Sequence, residues 1–143
     1  MTGHAVAVMR DQPYSGGHFL VSIGEQDGRH AAAGFAEVVF PPFERHRERE
    51  TPADAAPATV VLRRGATGRL DLYEWWDAAR REKAPPTRTV TVHLLAEDQR
   101  TVVMTWRFIG AWPVTLTYSA LNAMAGDVVM EQVSLAFARV EME

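Results

Sequence analysis

Asp71-Leu72-Tyr73-Glu74-Trp75-Trp76-Asp77-Ala78-Ala79-Arg80-Arg81 is the one stretch of this sequence with a sustained helical period. Leu72, Trp75, Trp76 and Ala79 fall at i, i+3, i+4 and i+7, so they share a face. Asp71, with Glu74 three residues later, suits a capping box. Arg80, Arg81 and Lys83 stand near the end, where a helix's partial negative charge favours cations. Pro85 and Pro86 forbid continuation, because proline lacks the amide hydrogen and clashes with the preceding turn. Adjacent helical residues point about 100° apart, so one of Trp75 and Trp76 is expected in the core. The other is a candidate contact between subunits, since large aromatics anchor interfaces.

On both sides of this helix the period is two. Phe19, Val21 and Ile23 alternate with Leu20 and Ser22, and Gly24 to Gly28 read as a turn. A second strand is expected from Arg29 to Phe40, stopped by Pro41-Pro42. Ala58 to Arg64 returns to strand character and Gly65 ends it. Beyond the helix, Val90, Val92 and Leu94 alternate with Thr89, Thr91 and His93. Glu97-Asp98-Gln99-Arg100 is a turn into a strand on which Val102, Met104, Trp106 and Phe108 share a face. Arg107 projects the other way, toward solvent, a partner or a lumen. A short strand is expected from Trp112 to Thr117, and a last one from Val128 to Val140. Strands, one helix, then strands predict a mainly β protein, an antiparallel β-barrel or two-sheet sandwich with one flanking α-helix.

At 143 residues the chain suits a single domain, with residues 1–17 as a flexible arm. Apolar residues make up 47% and charged residues 23%, with a net charge of −3. That balance predicts no stable binding of nucleic acid or membrane by the monomer. The absence of cysteine excludes disulfides and thiolate metal sites, and cytoplasmic synthesis is expected. Met1 to Arg10 carry no signal-peptide pattern. Phe108 to Gly126 is long enough for a membrane span, but Pro113 and Asn122 argue against it.

Chemistry-bearing groups do not gather. His4, His18, His30, His46 and His93 lack helical zinc spacing. Ser15-Gly16-Gly17-His18 lacks both the nucleophile-elbow context and the lysine of a phosphate loop. Glu97 and Asp98 belong to a turn. No catalytic, cofactor-binding or metal-ligating residue is assigned, and the chain is not expected to be an enzyme.

The segment 41–57 is a charged, proline-rich loop. Glu44 to Glu50 mixes both signs, as a solvated loop does. Equally, Phe43, Glu44, Arg45, Arg47, Glu48 and Arg49 could form a contact arm, pairing with complementary charges on a neighbouring copy.

Several stretches together resemble the phage tail-tube family of contractile tails and contractile injection systems. They are Phe19-Leu20-Val21-Ser22-Ile23, Gly34-Phe35-Ala36-Glu37-Val38, Thr59 to Gly65, Leu72 to Trp76 and Trp106-Arg107-Phe108. Ala111-Trp112-Pro113, Leu121-Asn122-Ala123 and Val129 to Leu135 complete the series, in the family's order. The resemblance implies a β-barrel-like subunit with a flanking helix, six of which close into a ring around a lumen. It further implies stacked rings as neighbours, sheath and spike or baseplate proteins as partners, and a phage tail-like particle assembled in the bacterial cytoplasm. Trp75, Trp76, Arg107, Trp112 and Asn122 join the interface candidates. Closing a ring also removes open sheet edges. Where tube subunits usually carry a longer segment with a Lys-Leu-Pro-Gly-like motif, this chain has Phe40-Pro41-Pro42-Phe43 and the charge run. That departure leaves a repeating shaft subunit and a tube-initiating ring as alternatives. The competing class is a monomeric β-barrel module that binds a small ligand or glycan.

Overall fold

A computed structural model of the chain describes residues 10–24, 30–45, 58–83 and 86–143. In chain order they form β1 (Phe19–Gly24), β2 (His30–Ala33), β3 (Glu37–Val39), β4 (Thr59–Gly65) and α1 (Asp71–Arg81). β5 (Arg88–Leu95), β6 (Val102–Tyr118), β7 (Met130–Ala136) and β8 (Arg139–Met142) follow. Among the described residues the fold is mainly antiparallel β with one helix, as the alternation predicts. Two compact units divide these elements, and β6 contributes its first part to one and its last part to the other.

The first unit is an antiparallel sheet in the order β2, β1, β5, β6, β8. Register explains its core. Val21 lies opposite Val92, which lies opposite Trp106, and Ile23 lies opposite Val90, which lies opposite Phe108. Side chains of period two thus stack in rows, and Val21, Ile23, Val90, Val92 and Phe108 are buried. The turn between β5 and β6 falls where the sequence places it. Asp98 Oδ1 accepts the amides of Arg100 and Thr101, each at 2.9 Å, and Oδ2 accepts the Thr101 hydroxyl at 2.5 Å.

The second unit is an antiparallel sheet in the order β6, β7, β4, β3, with α1 alongside. Val60 faces Leu135, and Leu62 faces Val133; all four are buried. The helix contributes Leu72 and Trp75 to this core. Trp75 is 2% exposed, and its indole N–H donates to the carbonyl of Pro86 at 3.2 Å, which satisfies the one polar atom its burial would strand.

Four local expectations change. The strand expected from Arg29 to Phe40 is two strands, β2 pairing with β1 and β3 with β4. The chain leaves one sheet at Gly34 and enters the other where Ala36 N–H donates to Arg63 O at 2.8 Å. Conversely, the strands expected before and after Gly110 are one. Val90 faces Phe108 and Arg88 faces Ala111, so Ile109 and Gly110 form a bulge opposite Thr89. Gly110 has φ of +68°, a region open to glycine, so it accommodates the extra residue without ending the strand. The final strand also splits. After β7 the amide of Ala138 donates to Ile109 O at 2.9 Å, and β8 pairs with β6 over Trp106 to Ile109. Lastly, α1 has no capping box: Leu70 is the N-cap and no side chain caps it. The Asp71 carboxylate is already engaged by Arg64.

Candidate functional site: a tethered helix and open sheet edges

Alternation along β4 places Arg64 on the same face as Val60 and Leu62, and along β7 it places Glu131 with Val133 and Leu135. Both charged side chains therefore lie in the core face of the second unit. They are the buried charges among the described residues. Arg64 Nε donates to Glu131 Oε1. Its Nη1 donates to Asp71 Oδ2 at 3.1 Å, and its Nη2 donates to Asp71 Oδ1. One guanidinium thus binds the start of α1 bidentately while holding β7. The Phe35 ring covers it, 5.4 Å from the guanidinium carbon. Burial would lower the Arg64 pKa, but the hydrogen bonds to Asp71 and Glu131 outweigh it and raise the value. The same contact holds the Asp71 carboxyl below its ordinary range. Burial first, and the neighbouring Glu131 carboxylate second, push the Tyr118 phenol up.

Among the described residues the second unit's sheet ends at β3 on one side and at the last part of β6 on the other. β3 is only 3 residues long. On β6 the register shifts between Pro113 and Thr115, leaving Val114 without a partner across the ladder. Both features make an edge irregular, which limits indiscriminate pairing. Several exposed apolar side chains lie beside these edges. Val39, Phe40 and Phe43 follow the β3 edge; Val114 and Tyr118 lie on β6. The loop after β6 exposes Leu121 at 83% and Met124 at 95%. Edge backbone groups flanked by apolar side chains are a template on which another chain can pair.

The residues singled out in the sequence are dispersed over this framework. Phe43, Glu44 and Arg45 are exposed beyond β3. Arg47, Glu48 and Arg49 lie outside the described residues. Trp75 is core, a correction to its place among interface candidates: its side chain offers no surface. Trp76 keeps an accessible face, under the Arg80 guanidinium at 5.0 Å and beside Tyr73. Arg107 is held within the chain by Glu143. Trp112 is half-buried on β6, opposite Ala136. Asn122 Oδ1 accepts the amide of Met124 at 2.9 Å, so it shapes the exposed loop. The Arg64 cluster was missed, although a charged residue at core parity in each of two apolar strands was its visible signal. Among the described residues, no three His, Asp or Glu groups are placed to share a metal.

A mainly antiparallel β fold of two sheets with one helix braced by Arg64, among the described residues, defines the class by architecture. Within it, the chain belongs to the family described as T4-like virus tail tube protein gp19, which it matches over residues 17–141. Solved structures share the fold. A chain of the PVC sheath–tube complex, an extracellular contractile injection system in its extended state, is 22% identical with a TM-score of 0.73, covering 93% of both chains. The anti-feeding prophage tube-terminating cap gives 20% identity and a TM-score of 0.74, over 100% of this chain and 99% of that one. Hcp1 from Flavobacterium johnsoniae is 14% identical with a TM-score of 0.57, over 86% of this chain and 94% of its own. At these identities the likeness is one of fold. No curated protein sequence matches the chain. The resemblance read from the sequence is therefore a family membership.

Proposed function

We propose that this chain is a non-enzymatic subunit of the inner tube of a phage tail-like contractile injection system. Its two units act together as one tail-tube-like domain, and six copies close into a ring around a lumen. Rings stack on one another, within a sheath and above a spike and baseplate. Synthesis and assembly take place in the bacterial cytoplasm. The observation that carries this reading is the match to the tail tube family across residues 17–141. Open sheet edges flanked by Val114, Tyr118, Leu121 and Met124 support it, because identical neighbours in a closed ring would complete them. Many modest contacts repeated around a ring make a rigid pipe without any single strong one.

Size-exclusion chromatography with light scattering, followed by negative-stain microscopy, tests the proposal. Annular particles are expected at high protein concentration. Stacks that lengthen with the purified protein alone identify a shaft subunit; single rings that extend only on adding a second tube protein identify an initiator. A folded chain that stays monomeric, even beside spike and baseplate components, overturns the reading. Charge reversal at Arg45, Arg47 and Arg49 together is expected to weaken ring-to-ring contact while leaving the ring intact.

A further inference from the structure

Three side chains form a row across the second unit's sheet: Arg64 on β4, Glu131 on β7 and Tyr118 on β6 are successive register partners. The row has two ends with different roles. At one, Asp71 is the first residue of α1 and takes both terminal nitrogens of Arg64. At the other, Tyr118 is the last residue of β6, on the open edge where the apolar loop begins. Between them the two middle members are buried, Arg64 and Glu131 each being 3% exposed.

A guanidinium is a planar fork whose donors point in set directions. It can satisfy Asp71 and Glu131 together only while the start of α1 and β7 keep one spacing. If the helix end moves, Arg64 must follow it or leave Asp71. Following it takes the Arg64 donor from the carboxylate of Glu131 and leaves it the Tyr118 phenol, which is costly for a charge only 3% exposed. Glu131 in turn faces Tyr118. Other groups give little alternative support: Arg69 reaches Asp71 Oδ2 at 3.3 Å from a half-exposed position.

We propose that Arg64 is a positioning residue that couples the setting of α1 to the order of the open β6 edge, through Glu131 and Tyr118. Disturbing Asp71 then loosens residues 112–118, on a strand that pairs with β7 and not with α1. The coupling is a property of the folded chain; its bearing on ring closure rests on the tube reading above.

Hydrogen exchange on the full-length protein, with Asp71→Asn, Asp71→Glu and Tyr118→Phe, tests it. Asp71→Asn keeps the size and lies at a partly exposed position, so the fold persists. Exchange of the β6 amides paired to β7 is expected to rise about tenfold in Asp71→Asn. Asp71→Glu keeps the charge but adds one methylene to the spacing, so it is expected to restore exchange only in part. The shifts in unfolding midpoint for Asp71→Asn and Tyr118→Phe are expected not to add in the double variant. Faster exchange confined to α1, with 112–118 within about twofold of the parent and additive midpoint shifts, overturns the proposal. The two readings fail separately. Rings without this coupling sink Arg64's positioning role, whereas coupling in a chain that never assembles sinks the tube.

Discussion

Arg64 and Glu131 stand directly opposite each other on β4 and β7, each 3% exposed, with Arg64 Nε donating to Glu131 Oε1. Removing two charges from water is expensive, and the pair is tolerable only because both members are present. Arg64→Met strands the glutamate and is expected to cost about 3–5 kcal/mol of stability, read from urea unfolding followed by circular dichroism. Adding Glu131→Leu should recover most of that loss. A single variant as stable as the parent would show that the site admits water.

Trp75 and Trp76 are neighbours in sequence with different burial. Trp75→Ala is expected to destabilise by roughly 3–5 kcal/mol, since it empties a large volume in the core. Trp76→Ala, at a half-buried site stacked under Arg80, should cost about 1 kcal/mol or less. Comparing the two unfolding midpoints separates them. Equal losses would mean that Trp76 shares the core.

Acid should weaken the fold in a defined window. The Asp98 carboxyl falls from an ordinary 3.8 to about 2, held first by the Thr101 hydroxyl and then by the Thr101 and Arg100 amides. Asp71 is also lowered, chiefly by Arg64. A carboxyl with a depressed folded value contributes stability that is complete above its unfolded value and vanishes as pH falls through the folded one. The urea midpoint should therefore be flat above about pH 5 and drop from about pH 4 toward pH 2. Asp98→Asn should flatten part of this drop; an unchanged profile would remove Asp98 from the explanation.

At Gly110 a side chain meets two obstacles. The residue has φ of +68°, and a Cβ there would stand 3.0 Å from Ala138 Cβ. Gly110→Ala is expected to cost about 1–2 kcal/mol for the backbone alone, with the contact adding to it. Thermal unfolding measures the loss. Gly34→Ala, where a Cβ would meet nothing within 4 Å, is the control.

Leu121 and Met124 expose most of their surface, so Leu121→Ser with Met124→Ser should leave monomer stability within about 0.5 kcal/mol. The same pair should reduce ring formation, measured by light scattering across a concentration series. Rings of undiminished stability would move the contact elsewhere along the sheet margin.

Much of this fold was legible because helical and strand periods are local. Leu72, Trp75 and Trp76 report a helix from their spacing, and Phe19, Val21 and Ile23 report a strand from theirs. The turn at Asp98 was legible for the same reason. Gly110 was misread because a glycine within an apolar run marks either a strand end or a bulge, and its neighbours do not say which. Asp71 suited a cap by its position, yet a buried arginine from β4 takes its carboxylate instead. The interface candidates were chosen by residue type, and type does not distinguish Trp75 from Trp76.

The chain's own order of residues determined that it is mainly β with one helix, that it lacks cysteine chemistry, and that it belongs with tail tube proteins. Those properties follow from periodicity, composition and motifs, which neighbouring residues carry among themselves. Tertiary structure decided which strands pair, where β6 passes from one sheet to the other, and that Arg64 joins α1 to β7. These are relations between segments distant in sequence, and only the register that buries the most apolar surface with every buried charge satisfied selects them.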